Sequence, residues 1–207
     1  MADTELEVVN LALNRIGHKS IENLEDGTNQ TAVLMKSFYN GTVNEMLSVF
    51  PWNCAVTRAE LSLTSEVNLT QYNNGYDLPE GVLRVLDIDG DKKKTYRIEG
   101  KQIFTDEGNS DPLTIRIRYI QKLSDVTAWD EFLEEAIALR LAEKACMKIT
   151  KNLTLTSYLQ QQVITALNIA QQSANAEDRE DLSNIIASIN NSKMADIMMS
   201  KNNYAQG

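Results

Sequence analysis

The sequence predicts an α+β fold, mainly α, in which a helical bundle carries an inserted small antiparallel β module and ends in an extended C-terminal arm. Three observations predict it. Apolar residues recur at helical spacing on both sides of the middle third. Inside the middle third they alternate every second residue, which is the strand period. The change of period falls at Phe50-Pro51-Trp52-Asn53-Cys54-Ala55, where a proline closes a long amphipathic helix and one of the two tryptophans follows at once. The expected boundaries are 1–56 with 122–190 for the bundle, 57–121 for the β module and 191–207 for the arm.

Thr4-Glu5-Leu6-Glu7 has the pattern of a capping box, with Thr4 at the N-cap and Glu7 reaching back. Leu6, Val9, Leu13 and Ile16 follow at helical spacing, and Val8 and Ala12 widen the stripe. Gly17 ends this helix, because glycine takes the left-handed C′ position cheaply. Asp26-Gly27 marks a turn. A second helix is expected from about Thr28 to Phe50, with Ala32, Met35, Tyr39, Val43, Met46 and Phe50 on one side. Pro51 stops it, since the residue before a proline is pushed out of helical geometry.

From Thr57 the alternation of Ala59, Leu61 and Leu63 with polar residues predicts a strand. Asn73-Asn74-Gly75 is a turn signal. Val82 to Ile88 is expected as a strand and Asp89-Gly90 as a hairpin turn, with Tyr96 and Ile98 on the return strand. Ile103 and Phe104 belong to another strand. Ile115, Ile117 and Tyr119 alternate with Thr114, Arg116 and Arg118, so one face of that strand is apolar and the other basic.

Helix resumes near Ala128. Phe132, Leu139, Ala142, Cys146 and Ile149 form a stripe that Leu133, Ala136, Ile137 and Leu141 thicken, an arc wide enough to require burial on more than one side. Asn152 and Thr154 open a fourth helix, with Leu155, Leu159, Val163, Ala166 and Ala170 inward. Leu182, Ile185, Ile186 and Ile189 predict one more helical segment. The arm carries Met194, Ile197, Met198, Met199 and Tyr204 as apolar anchors in a polar stretch. Trp52 and Trp129 flank the β module. Each fits either a core plug with its indole N–H satisfied or a contact between subunits.

At 207 residues the chain suits one domain with elaborations or two small ones. Aromatics are only 6 %, so the core rests on Leu, Ile, Val, Met and Ala. Twenty-nine acidic against 20 basic side chains give a net charge of −9. That balance opposes a protein that wraps nucleic acid with basic stripes. It suits solubility, or a channel wall that DNA passes without sticking. Cys54 and Cys146 are too few and too far apart for a disulfide framework, and their apolar surroundings mark them as buried small hydrophobes. The first residues have no basic and apolar leader pattern, and no stretch reaches the length of a membrane span, so synthesis in a reducing cytoplasm is expected.

Candidate chemistry is sparse. His18 follows a helix-ending glycine, with no nearby cysteine or acidic ligand cluster. Asp87-Ile88-Asp89-Gly90-Asp91 resembles a calcium loop, but the sixth and twelfth places hold Lys92 and Ile98 instead of glycine and a carboxylate. Lys92-Lys93-Lys94 is a short basic patch. Asp130, Glu131, Glu134 and Glu135 cluster at a helix start, where the macrodipole favours acids. Phosphate-cradling glycine motifs are absent. The expectation is no catalytic, cofactor or metal residue and no enzyme. The alternative is a glycan hydrolase using carboxylates near Asp130 and Glu134.

Ordered fragments carry a resemblance. Glu7-Val8-Val9-Asn10-Leu11-Ala12-Leu13-Asn14-Arg15-Ile16-Gly17, then Ile21 and Leu24-Glu25-Asp26, open it. Phe50 to Ala55 and Tyr76-Asp77-Leu78-Pro79 continue it. Arg118-Tyr119-Ile120, Trp129 to Phe132, Glu135-Ala136 and Arg140-Leu141-Ala142 complete it. Together they resemble the tail tubular protein A group, the head-to-tail adaptors of short-tailed bacteriophages, over roughly residues 5–175. The resemblance implies a ring of twelve-fold symmetry at the portal-tail junction of the virion. It would bind the portal protein and the tail nozzle, and pass genomic DNA without sequence-specific binding. It implies no cofactor and no membrane partner.

Overall fold

The computed structural model describes residues 2–66, 72, 74–91, 93–106 and 114–177. The expected last helical segment and the arm residues Met194, Ile197, Met198, Met199 and Tyr204 lie outside them. The architecture is α+β. Helices α1 (Glu5–Arg15) and α2 (Gln30–Val49) precede six strands, and α3 (Glu131–Ile149) and α4 (Leu153–Glu177) follow them. The strands are β1 (Val56–Glu66), β2 (Asn74–Asp77), β3 (Val82–Ile88), β4 (Arg97–Glu99), β5 (Gln102–Thr105) and β6 (Thr114–Gln121). Two compact units divide inside α4, at Leu167 and Asn168.

Local chemistry sets the helix ends. Thr4 Oγ1 accepts from the Glu7 N–H at 3.3 Å, and Glu7 Oε2 accepts from the Thr4 N–H at 3.2 Å, closing the expected capping box. Gly17, at φ +70°, ends α1. Its N–H and that of His18 donate to the Asn14 and Leu13 carbonyls, both at 3.0 Å, the paired bonds of a Schellman motif. The α2 cap is Asn29. Asn29 Oδ1 accepts from the Thr31 N–H at 2.9 Å and the Ala32 N–H at 3.3 Å. Thr28 instead donates its N–H and hydroxyl to Asp26 Oδ1, which holds the Asp26 carboxyl below its ordinary range.

Helix α3 is the centre of the helical part, with both α1 and α2 packed on it. Leu133, Ala136, Ile137, Ala138, Leu139, Leu141, Ala142, Ala145 and Cys146 are all buried, as so broad an apolar arc requires. Each fully buried Leu or Ile contributes about 1.5–3 kcal/mol, and the four alanines let neighbouring backbones approach closely. Phe132 departs from expectation. It is 39 % exposed, because cover on this stripe begins only at Leu133.

The rim of the α2–α3 contact is charged. Arg140 Nη2 reaches Glu45 Oε1 at 2.6 Å, Lys144 Nζ reaches Glu45 Oε2 at 2.5 Å, and Arg140 also pairs with Glu143. Burial works against ionising Glu45. The hydrogen bonds from Lys144 and Arg140 outweigh it and hold the carboxyl below its usual range. Across α1 and α3, Arg15 grips both carboxylate oxygens of Glu135 at 2.7 and 2.8 Å.

The strands form one antiparallel sheet in the order β3-β6-β1-β2-β5-β4. The long β1 serves both halves, pairing with β6 through Val56–Ser62 and with β2 through Leu63–Glu66, with an irregularity between Leu63 and Ser65. Leu61, Tyr76, Val85, Ile88, Ile103, Ile115, Ile117 and Tyr119 share one buried cluster drawn from five strands. The sheet closes over that cluster. The Tyr96 hydroxyl beside β4 donates to the Val85 carbonyl of β3 at 3.3 Å, although β4 and β3 are the opposite edges. Burial, and then the charge of Asp89, raises the Tyr76 hydroxyl above its ordinary range.

Three strand expectations are corrected. Asn74 and Gly75 lie within β2 rather than in a turn. Tyr96 precedes β4. The return strand pairs with β5 and not with β3. The tight turn itself forms, with Asp89 at φ 51° and Gly90 at φ 78°, and the Asp91 N–H reaches the Ile88 carbonyl at 2.9 Å. Beyond it β3 takes β6 as partner, since Ile88 and Ile117 must meet in the cluster.

The Glu45 cluster has a pH signature. A carboxyl with a depressed folded pKa stabilises the fold at neutral pH, and that stability is lost as pH falls through the folded pKa. Glu45→Gln should cost roughly 1 kcal/mol at pH 7, a modest value because the pair is a third exposed. Urea melts should show the gap between wild type and variant shrinking by pH 3.

Candidate functional site

The helices and the sheet meet at Phe50–Val56. An α-helix leaves its last four carbonyls without intrahelical partners. In α2 one of them, Met46, accepts the Trp52 indole N–H at 2.7 Å. Trp52 is fully buried and meets Phe50 edge to face, with ring centroids 4.9 Å apart. The Trp52 carbonyl then accepts from the Ala55 and Val56 N–H groups at 2.9 and 3.0 Å, turning the chain into β1.

The return crossing lies against this one. The Gln121 N–H at the end of β6 donates to the Ala55 carbonyl at 2.9 Å. Burial pushes the Cys54 thiol up to about 11, against a hydrogen bond with the Asp130 backbone. Such a thiol is protonated and unreactive near neutral pH. Asp130 in turn caps α3, its Oδ1 accepting from the Leu133 N–H at 2.7 Å. One joint thus holds the end of α2, both ends of the β stretch and the start of α3. Trp129 is buried beside Asp130, and its indole N–H has no partner among the described residues.

The acidic cluster at α3 is engaged in structure. Asp130 is the cap, Glu134 Oε2 accepts from the Ala2 N–H at 2.8 Å, and Glu135 holds Arg15. His18 sits in the α1–α2 loop with Nδ1 2.9 Å from the Lys19 carbonyl oxygen. The calcium-like run is split up. Asp87 pairs with Arg118 at 2.7 Å and Asp89 with Lys94 at 3.0 Å. Among the described residues no group of three or more His, Cys, Asp or Glu is placed to hold a metal, and no helix is long and apolar enough to cross a membrane.

The basic face of β6 becomes part of a groove of about 490 Å³ on the polar side of β3, β6 and β1. Arg118 stands between Asp87 and Arg58 in register, and Arg116 faces Glu60, which it meets at 3.1 Å. Sequence reasoning found Arg116 and Arg118, marked Asp87 only as part of a calcium-like run, and missed Arg58. The signal is visible only once the register is known.

It also missed Asn10, whose side-chain amide donates to the Ile21 carbonyl at 2.9 Å and accepts from the Ile21 N–H at 2.8 Å, pinning the loop after α1. Asn10, Trp52 and Arg140 all lie in the fragments quoted for the family resemblance, and each ties two parts of the chain together.

Trp52→Phe keeps most of the ring and removes the indole N–H, leaving the Met46 carbonyl unsatisfied. The melting temperature should fall by roughly 3–8 °C, and Trp52→Ala should cost about 3–5 kcal/mol. Thermal melts of both variants check this. A Phe variant that melts with wild type would show that packing alone holds the joint.

Comparison with curated proteins gives no match. A family model described as tail tubular protein matches residues 6–194, spanning the helices, the joint and the sheet. The chain therefore belongs to the tail tubular protein family, structural proteins of bacteriophage tails.

Proposed function

We propose that this chain is a subunit of a head-to-tail adaptor ring that joins the portal to the tail nozzle and lines part of the DNA channel. The observation that carries this reading is the two-part build on one tied joint, within a chain that its family assigns to the phage tail. In the proposed ring the helical part, 1–56 with 122–190, is a bundle that packs side by side with its neighbours through contacts that close. Val33, Val49, Met147, Tyr158 and Ile164 are exposed apolar side chains on its helices, of the kind such contacts cover. The β module, 57–121, projects toward the next component of the tail.

The net charge of −9 suits a channel wall that passes DNA without gripping it. Twelve copies and a seat at the portal-tail junction follow from the adaptor resemblance. In this proposal Trp52 and Trp129 act from inside the joint, by keeping the sheet at a fixed angle to the subunit contacts. The C-terminal stretch with Met194, Ile197, Met198, Met199 and Tyr204 is an arm that docks on the portal or on a neighbouring subunit.

Electron microscopy of the purified chain mixed with its portal should show an added ring at one portal face. Portals that stay bare while the chain joins isolated tails would place it elsewhere in the tail. Deleting 191–207 should reduce attachment to portals in a sedimentation assay. Unchanged attachment would remove the arm.

A further inference from the structure

The groove on the polar face of β1, β6 and β3 is lined by Arg58, Arg116, Arg118, Asp87, Asp89 and Gly90. The two acids that line it are withdrawn, while Glu60 at its edge is 55 % exposed and engaged by Arg116. Asp87 is 3 % exposed beneath Arg118, and the Asp89 side chain is 10 % exposed beside Lys94. The Arg116 side chain is 70 % exposed, that of Arg118 30 %, and Arg58 is exposed. Arg116 and Arg118 each have one carboxylate partner, so the charge left unneutralised in the groove is that of exposed Arg58, in a chain whose net charge is −9.

The guanidinium groups also keep donors in hand. Arg118 meets Asp87 and Arg116 meets Glu60 through Nε. Their terminal Nη groups have no acceptor among the described residues. Arg58 makes no ion pair among the described residues, and it stands directly opposite Arg118 in the register. Like charges facing across an antiparallel pair repel. An anion set between them removes that repulsion and engages the guanidinium forks bidentately.

We propose that this groove receives a carboxylate side chain from an acidic segment of an adjoining tail protein, held by Arg58 and by the Nη groups of Arg118 and Arg116. Charge complementarity carries the choice of partner. The site is a bounded groove with room for a short peptide segment, and not the basic stripe along which nucleic acid tracks. Asp87 and Asp89 beneath the cations favour a singly charged guest at one point over a run of phosphates. The proposal requires only that the chain works within a tail assembly, so it stands or falls apart from the adaptor-ring reading.

The test uses the full chain at low salt with a fluorescent hexaglutamate peptide, and a short DNA duplex as the rival probe. Arg97, exposed on β4 and paired with Glu99 outside the groove, supplies the control. Arg58→Gln should weaken peptide binding about tenfold with an unchanged melting temperature. Arg97→Gln should leave binding near wild type, and the duplex should bind less tightly than the peptide. The proposal is overturned if wild type ignores the peptide, if the two variants lose binding equally or not at all, or if the duplex binds more tightly.

Discussion

The fold depends on one geometric constraint: the β stretch leaves the helices and re-enters them at the same place. Val56 and Ile120 are register partners, so the first and last strands are neighbours and the two crossings run side by side. Pro51 ends α2 there, and the Trp52 indole satisfies a carbonyl that the ended helix leaves open. A buried carbonyl without a partner costs about 1–3 kcal/mol. The tryptophan therefore fixes the exit direction as well as filling space. Asp130 starts α3 within reach of Cys54, so the second crossing is anchored to the first.

Helix α3 gives that joint something firm to stand on. It is apolar through more than half its turn, and both α1 and α2 pack on it. Apolar packing alone leaves the axial register of such helices loosely set, because alanine-rich faces slide. The Glu45–Arg140–Lys144 cluster and the Arg15–Glu135 pair supply polar contacts that fit one register. Asn10 does the same for the loop between α1 and α2, bonding both backbone groups of Ile21. The positions of ring-facing and tail-facing surfaces in the proposed adaptor follow from these few polar locks.

Much of this was legible in the residues. The capping box at Thr4, the stop at Gly17, the switch at Pro51 and the two-faced strand at Thr114–Gln121 each follow from local stereochemistry, which a sequence carries directly. The strand partners were not legible. Asp89-Gly90 forms the tight turn its chemistry demands, yet β3 pairs with β6, because pairing is decided by where Ile88 and Ile117 bury their side chains. Asn74-Gly75 carried turn chemistry into a strand for the same reason. The groove was half legible. Alternation marked Arg116 and Arg118, while Arg58 and Asp87 became visible only through register. Nothing local distinguishes Asp87 from the acids beside it until Arg118 is placed against it.

The closing of the sheet over its own apolar face bears on how copies of the chain can coexist at high concentration. An open antiparallel sheet offers each edge as a template for another strand, the route by which β proteins polymerise into fibres. Here one edge, β4, is three residues long. The other, β3, breaks register twice and has its Val85 carbonyl occupied by the Tyr96 hydroxyl. Such edges recruit foreign strands poorly. Many copies can then crowd together during virion assembly without zipping into fibres, and partner choice is left to side-chain contacts that can be made, tested and released.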